Sequence, residues 1–204
     1  MLYDLLVLGV SNRWIWKCPS RHLRAWYDHH VTGNHLDVGV GTAYFLDRCR
    51  FPAARPRLAL MDVDPHCLEA ASRRLTRYQP ENYLANVLEP IGVPQLRTRP
   101  RFESIGMNYL LHCLPGAMAD KAAAAFSHLQ PLLRPGGALF GSTLLHGGVD
   151  RSPIAQRLMA ACNANGIFSN AQDDLDGLRQ ALQTRFERFS LEVVGCAALF
   201  SGWT

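Results

Sequence analysis

Short apolar runs alternate with amphipathic stretches along most of the 204 residues of the chain. The apolar runs are bounded by turn residues, a pattern typical of strands that are buried on both faces. They predict strands at residues 34–38, 57–62, 81–85, 102–107, 137–144 and 189–200. The intervening stretches predict helices at 42–49, 65–77, 118–132, 151–164 and 173–186, after one or two helices at 2–9 and 19–30. This alternation predicts an α/β fold with a doubly wound, mostly parallel sheet that carries helices on both faces.

A glycine-rich turn follows the first predicted strand directly. Gly39 and Gly41 lie where only glycine lets the backbone pass close to a ligand. A helix that starts near Thr42 would direct its free N–H groups and the positive end of its dipole at this turn. Asp62 ends the second run, where a doubly wound sheet places a carboxylate for the hydroxyl groups of a ribose. Together these residues predict a site for an adenosine-type cofactor.

The kind of cofactor depends on the residues around the two glycines. A dinucleotide fingerprint needs a third glycine at the position of Tyr44. A P-loop is absent from the sequence, because its only lysines, Lys17 and Lys121, do not follow a glycine. Asp37 would repel a pyrophosphate but would attract an ammonium group. These features favour a nucleoside with an amino-acid tail, such as S-adenosylmethionine.

The turn and its neighbours also resemble a known family. Residues 36–42 (LDVGVGT) are similar to motif I of the class I S-adenosylmethionine-dependent methyltransferases. Four later motifs of that family are matched in order and spacing at residues 60–65, 86–90, 102–114 and 133–139. The segments 12–14 and 166–170 are similar to a small group of bacterial and fungal methyltransferases typified by YbcY.

The resemblance implies a Rossmann-like sheet of seven strands that ends in an antiparallel hairpin. In this chain the last apolar run contains Gly195, which indicates a bend, a bulge or a break into two short strands. We therefore expect six to seven strands with an antiparallel last strand. The family motif commonly has glycine where Ala43 stands, and this departure is expected to shift the tail of the cofactor slightly.

For function, the resemblance implies transfer of a methyl group from S-adenosylmethionine to oxygen or nitrogen of a small aromatic or heterocyclic molecule, by in-line displacement. Asp62 would hold the ribose, Asn86 would meet the adenine amino group, and Val63 and Val87 would flank the adenine ring. The full set of expected cofactor contacts is Asp37, Gly39, Gly41, Thr42, Asp62, Val63, Asn86, Val87 and Asn108. Turn closure by Asn86 and ordinary core packing of the two valines are the structural alternatives.

Candidate groups for the acceptor come from other parts of the chain. His112 and His146 follow the fourth and fifth predicted strands, and a histidine with a pKa of about 6.5 can deprotonate a phenol or a ring nitrogen. Packing of either histidine under a loop is the alternative. Trp14, Trp16 and Phe168 are expected to bind a flat substrate, although packing on the sheet explains the same residues.

Composition and charge narrow the class of protein. We expect a single methyltransferase domain over residues 1–204, divided into a helical lid segment (1–33), a cofactor-binding core (34–145), and acceptor-side helices with the last strand (146–204). The net charge of +4 is spread without a run of like charge, which disfavours a nucleic acid as partner. Six well-separated cysteines indicate a reducing cytoplasm and no metal site. The apolar start of the chain is too short to span a membrane.

Other functions stay open at this point. A methyltransferase acting on a protein or an RNA has the same motifs, as does a noncatalytic protein that binds S-adenosylmethionine or S-adenosylhomocysteine. An NAD-dependent oxidoreductase would require a pyrophosphate beside Tyr44. The sequence gives no indication of the oligomeric state.

Overall fold

The computed structural model describes residues 4–204, so the first residues of the predicted helix at 2–9 lie outside the described part. Seven strands form one sheet: β1 (Asn34–Val38), β2 (Arg57–Asp62), β3 (Glu81–Leu84), β4 (Phe102–Asn108), β5 (Leu133–Leu144), β6 (Arg188–Val194) and β7 (Ala197–Trp203). The α-helices are α1 (Ser20–His30), α2 (Tyr44–Arg48), α3 (Pro65–Arg74), α4 (Pro94–Thr98), α5 (Met118–Leu129), α6 (Pro153–Ala164) and α7 (Leu175–Arg185). A π-helical segment, Asp4–Ile15, precedes them.

The strand order is β3-β2-β1-β4-β5-β7-β6. Strands β1 to β5 pair in parallel, whereas β7 pairs antiparallel with both β5 and β6. The predicted doubly wound, mostly parallel sheet is therefore confirmed. The last predicted run is two strands and not one, because the chain reverses at Gly195, whose φ is +59°.

Helices cover both faces of the sheet, as successive strand residues show. Ala59 and Met61 of β2 pack into an apolar cluster with α5 and α7, while Leu58 and Leu60 pack into a second cluster with α1, α2 and α3. The side chains of a strand alternate between its two faces, so each cluster lies on one side of the sheet. Continuous apolar runs are what this double burial requires.

The carboxyl ends of β1, β2, β4 and β5 meet at one edge of the sheet. The order of the strands reverses between β1 and β4, and ligands of open α/β sheets bind in the crevice at such a switch point. Helix α2 begins at Tyr44, two residues later than predicted, because Gly41 and Ala43 have left-handed φ angles of +48° and +52°. The loop between β1 and α2 is therefore longer and more open than the sequence pattern suggested.

Within residues 4–204, the helices lack the combination of length and apolar character that crossing a bilayer demands. In the same part of the chain, the side chains of His, Cys, Asp and Glu do not form a group of three or more that could hold a metal ion.

Candidate functional site

A cavity of about 200 Å³ opens at the switch point of the sheet. Its walls come from the turn after β1, the ends of β4 and β5, the N-terminal segment and the loop after α6. The residues that line it are Asn12, Trp16, Gly39, Val40, Gly41, Thr42, Tyr44, Phe45, Asn108, Tyr109, His112, Cys113, Leu144, Ile167 and Phe168. Segments far apart in sequence thus build one site.

The two positions of the turn require glycine for different structural reasons. Gly39 has a φ of +68°, and a Cβ atom there would lie 2.6 Å from Cδ1 of Leu110. Its N–H donates to the carbonyl oxygen of Met61 at 2.8 Å, which ties the turn to β2. Gly41 has a φ of +48°, but a Cβ atom at this position would meet no atom within 4 Å. Gly39 therefore shapes the turn, whereas Gly41 borders open space in the cavity wall.

Asp62 reaches the same turn from the end of β2. Its Oδ2 accepts a hydrogen bond from the N–H of Gly41 at 3.5 Å, and its Oδ1 accepts from the N–H of Asp64 at 3.0 Å. The neighbouring carboxylate has a different role, because Oδ1 of Asp64 accepts from the N–H of His66 and caps α3 ahead of Pro65. Asp62 is thus the carboxylate at the glycine turn.

Polar groups at the end of β4 form the opposite wall. Asn108 accepts a hydrogen bond from the hydroxyl of Ser142 on β5. Tyr109 has a left-handed φ of +55°, and its hydroxyl donates to Oδ1 of Asn12 at 3.2 Å. The buried Asn12 in turn donates to the hydroxyl of Ser20 at 3.0 Å. This chain of hydrogen bonds connects the N-terminal segment to the end of β4.

His112 lies in a single turn of 3-10 helix after β4 and is 3% exposed. Its Nδ1 accepts from the N–H of Leu144 at 3.4 Å and lies 3.5 Å from the hydroxyl of Thr143. Burial, with a smaller contribution from the charge of Lys121, lowers the pKa of His112 to about 3. The expectation that this histidine titrates near 6.5 is therefore wrong, because burial disfavours the charged ring and the charge of Lys121 disfavours a second cation beside it.

Two aromatic rings close the cavity. Trp16 and Phe168 lie with their ring centroids 6.2 Å apart, and Phe168 also packs edge-on against His112 at 4.6 Å. The carbonyl of Trp16 accepts from the N–H of Cys196 at 2.8 Å. A Cβ atom at Gly195 would lie 2.2 Å from the same carbonyl oxygen, so the N-terminal segment docks directly on the turn between β6 and β7.

A buried ion pair holds the loop that carries Phe168. Lys121 on α5 places its Nζ 2.8 Å from Oδ1 of Asp173 and donates to the carbonyl oxygens of Leu114 and Ser169, each at 2.8 Å. Burial lowers the pKa of Lys121 and raises that of Asp173 to about 6. The N–H of Ser169 also donates to the carbonyl of His112 at 2.8 Å. Lys121 thereby joins the turn after β4 to the loop that carries Phe168, and we call this side of the cavity the acceptor wall.

Comparison with known families decides the class of protein. The family described as "Methyltransferase domain" matches residues 36–139, the segment that contains the glycine turn, Asp62 and the end of β4. The chain belongs to this methyltransferase family. The resemblance that the motifs indicated is therefore confirmed.

Relatives of this methyltransferase match it over nearly its whole length. It is 38% identical over 203 residues to demethylluteothin O-methyltransferase of Streptomyces thioluteus, covering 100% of this chain and 86% of the relative. It is 37% identical over 196 residues to the putative protein YbcY of Escherichia coli strain K12, covering 95% and 97% of the two chains. The predicted similarity to the YbcY group is thus confirmed.

A solved structure has the same fold. The N-methyltransferase NodS from Bradyrhizobium japonicum WM9, in complex with S-adenosyl-L-homocysteine, superposes on 90% of this chain and 83% of its own chain, with a TM-score of 0.58 and 16% identity. The cofactor of this methyltransferase is S-adenosylmethionine, as predicted. The residues of the turn fit it, because Gly41 leaves room beside the backbone of the cavity wall, and Asp62, although outside the described lining, hydrogen-bonds to the N–H of Gly41.

Several predicted cofactor contacts lie elsewhere in the methyltransferase. Asp37 is buried away from the cavity lining, where its Oδ1 accepts from the hydroxyl of Tyr27 at 2.9 Å. Val87 is 4% exposed and belongs to the core. Asn86 closes a turn, with its Oδ1 accepting from the N–H of Leu88 and its Nδ2 donating to Glu89. Turn closure by Asn86 and core packing of Val87 are thus both observed, and contact of either residue with the adenine stays a prediction.

The other predicted residues divide between the cavity and the surface. Val63 is 62% exposed next to Asp62, so its contact with adenine stays a prediction. Trp14 is 70% exposed and packs under the guanidinium of Arg13, outside the described lining of the cavity. His146 is also outside that lining, and its backbone N–H donates to the carbonyl of Asp173. Burial, followed by the charge of Arg151, lowers the pKa of His146.

Sequence reasoning missed four polar residues of the methyltransferase cavity, namely Asn12, Tyr44, Tyr109 and Cys113. Asn12 and Tyr109 both line it and bond to each other. Each lies within a stretch that resembles the family, namely residues 12–14 and 102–114, but their chemistry gave no separate signal. Only the fold shows that a residue before β1 and a residue after β4 share a wall.

Proposed function

We propose that this methyltransferase transfers the methyl group of S-adenosylmethionine to an oxygen atom of a small aromatic or heterocyclic molecule. The choice of oxygen follows the relative from Streptomyces thioluteus, which is named as an O-methyltransferase and matches the full length of this chain. The choice of a small, flat acceptor follows the walls of the cavity.

The observation that carries the proposal is the composition of those walls. Among the residues described, no carboxylate and no lysine lines the cavity, and its acceptor end is bounded by the rings of Trp16, Phe168 and His112. Pockets for small molecules are mostly apolar with a few convergent polar groups. The volume of about 200 Å³ suits a small ring system.

We assign the cofactor to the half of the cavity formed by the glycine turn. Gly39, Gly41 and Thr42 offer backbone that can approach the ligand closely, and Asp62 accepts the ribose hydroxyls. Asn108 lies at the end of β4 and also lines the cavity. We retain Val63 as a contact for the adenine ring.

When bound, the cofactor supplies an electrophilic methyl group on a sulfonium with a good leaving group. The chain contributes by holding the acceptor oxygen on the line of attack and by excluding water from it. Trp16 and Phe168 orient the ring of the acceptor, and the hydrogen bond between Tyr109 and Asn12 keeps the N-terminal segment closed over it. In this scheme residues 1–33 act as the lid of a single domain.

We also propose a cytoplasmic location for the protein. All six cysteines of the sequence are free thiols in the structure, as a reducing compartment requires.

Calorimetric titration with S-adenosylhomocysteine tests the cofactor site. We expect Asp62→Asn to weaken binding by about 10-fold or more, because one charged hydrogen bond is worth about 1.5 kcal/mol or more. The matched control is Asp64→Asn, which keeps the cap of α3 and should bind as the wild type does. Equal binding by wild type and Asp62→Asn would remove the assigned site.

A screen with methyl-labelled S-adenosylmethionine tests the reaction. The acceptor panel consists of phenols, hydroxylated heterocycles and aromatic amines, together with any small molecule that co-purifies with the protein. Labelled ethers are the expected products. Binding of the cofactor without transfer to any member of the panel would favour a noncatalytic cofactor-binding protein, and labelled amines would overturn the choice of oxygen.

A further inference from the structure

His112 lines the cavity beside the aromatic walls, yet the geometry around it does not suit a base. Its Nδ1 faces the backbone of β5 and accepts the N–H of Leu144 at 3.4 Å. A backbone N–H can only donate, so Nδ1 must carry a lone pair. In neutral imidazole the single proton then lies on Nε2. A doubly protonated ring would direct Nδ1–H against the N–H of Leu144.

Nε2 is the nitrogen that remains for a ligand. Among the described residues, none is hydrogen-bonded to Nε2 of His112, and the ring itself lines the cavity. Phe168 packs edge-on against the imidazole at 4.6 Å and Tyr109 at 5.5 Å, which fixes the plane of the ring. The donor is therefore held in place before an acceptor binds.

Burial and the charge of Lys121 both oppose protonation of His112. Lys121 on α5 is the cation whose charge acts on the ring, and Tyr109 and Cys113 flank it in the cavity wall. Burial lowers the pKa of His112 to about 3, raises that of Cys113 to about 11 and raises that of Tyr109 well above its usual value. Among the described residues of the lining there is no carboxylate that could offset these effects.

We propose that His112 is a hydrogen-bond donor to an oxygen of the methyl acceptor, through Nε2–H, and does not remove the acceptor's proton. The inference rests on the proposed function. The hydroxyl of the acceptor loses its proton to water before transfer. The oxygen lone pair then forms the bond to the methyl carbon, and the electron pair of the broken carbon–sulfur bond goes to sulfur. The acceptor is accordingly a hydroxyl compound acidic enough to ionise in water near neutral pH.

Nuclear magnetic resonance of the protein labelled with [15N]histidine tests the state of the ring without any acceptor. The signals of His112 are assigned by their loss in His112→Gln, and spectra are recorded with S-adenosylhomocysteine present and absent. We expect the Nε2–H tautomer to persist from about pH 8 to pH 5, whereas a histidine in water titrates at about 6.5. A titration midpoint above about pH 5.5, or a proton on Nδ1, would overturn the proposal.

The donor role is tested with the acceptor found in the screen. The variant His112→Gln keeps an N–H donor at the position of Nε2. The variant His112→Leu fills a similar volume but has no donor. We expect Gln to retain kcat/KM within about 3-fold and Leu to lose about 10-fold or more, because the hydrogen bond from Nε2–H binds and orients the acceptor oxygen. An unchanged rate in His112→Leu would contradict the proposal. So would an equal loss of rate in both variants if the limb of the pH profile near 6.5 is lost as well, because that result would indicate a base. Failure of the wild-type protein to bind the cofactor would instead contradict the proposed function. The two failures can be told apart, because the protonation state of His112 is also measured in the protein without cofactor.

Discussion

Nζ of Lys121 lies 2.8 Å from Oδ1 of Asp173, and both side chains are buried beneath the acceptor wall. Removing one partner of such a pair leaves the other charge without compensation in a medium that solvates it poorly. We expect Lys121→Met to lower the free energy of unfolding by about 3–5 kcal/mol, measured by urea denaturation.

The double variant Lys121→Met/Asp173→Leu is the control for this pair. Replacement of both charges by apolar groups should restore most of the lost stability, because buried ion pairs often contribute little net free energy. A single variant that costs less than about 1 kcal/mol would show that the carboxylate is solvated in the folded state.

The low pKa of His112 makes the stability of the protein depend on pH in a definite direction. The folded state keeps the ring neutral down to about pH 3, whereas the unfolded chain takes up a proton near 6.5. Between these values the unfolded state binds one more proton, so the free energy of unfolding falls as the pH falls from 6.5 toward 3.

At about pH 4.5 this side chain should cost about 3 kcal/mol of stability relative to pH 7.5, at about 1.4 kcal/mol per pH unit. His112→Gln has no ring to titrate, so its stability should fall by about that much less over the same interval. Parallel curves for the two proteins would mean that His112 titrates normally in the folded state.

Gly195 and Gly136 offer a matched pair for the docking of the N-terminal segment. Both have positive φ angles, +59° and +74°, but a Cβ atom at Gly195 would lie 2.2 Å from the carbonyl oxygen of Trp16, while one at Gly136 would meet nothing within 4 Å. Gly136→Ala should cost only the backbone strain, about 1–2 kcal/mol. Gly195→Ala should cost at least about 2 kcal/mol more, because a backbone segment must move away.

The fluorescence of the tryptophans should change in Gly195→Ala and not in Gly136→Ala, since Trp16 moves with that segment. Similar unfolding free energies for the two variants would mean that the segment does not depend on this contact.

Gly41 should separate cofactor binding from stability. A Cβ atom there has open space in the structure, so Gly41→Ala should lose only about 1–2 kcal/mol from its left-handed φ, as Gly136→Ala does. The added methyl group would enter the space beside the glycine turn. We therefore expect affinity for S-adenosylhomocysteine to fall by about 10-fold or more, an effect of about 1.4 kcal/mol, in Gly41→Ala alone.

The parts of the fold that the sequence predicts best are those in which local pattern and burial coincide. The bounds of β1 and β2 agree with residues 34–38 and 57–62, because each apolar run is buried on both faces and stops at a turn. The split at Gly195 and the insertion of β7 between β5 and β6 depend on long-range pairing, which the apolar pattern of residues 189–200 does not encode.

The site was predictable to a similar extent. Gly39, Gly41 and Asp62 follow from local turn chemistry and from the ends of parallel strands. The protonation of His112 follows from the N–H of Leu144 and from burial, neither of which is visible in the residues around it. In the same way, the cluster of aromatic residues before β1 cannot show that Trp16 turns inward while Trp14 faces solvent.

The position of β7 has a consequence for the order in which the molecule assembles. Strand β6 contacts the rest of the sheet only through β7, which follows it in the chain, and the segment carrying Trp16 docks on the turn between them. Most of this chain must therefore emerge from the ribosome before the segment carrying Trp16 can dock on the turn between β6 and β7 and complete the acceptor wall. The parallel half, β1 to β4, has no such requirement, so the nascent protein can form its cofactor cradle well before it has a place for the molecule that it methylates.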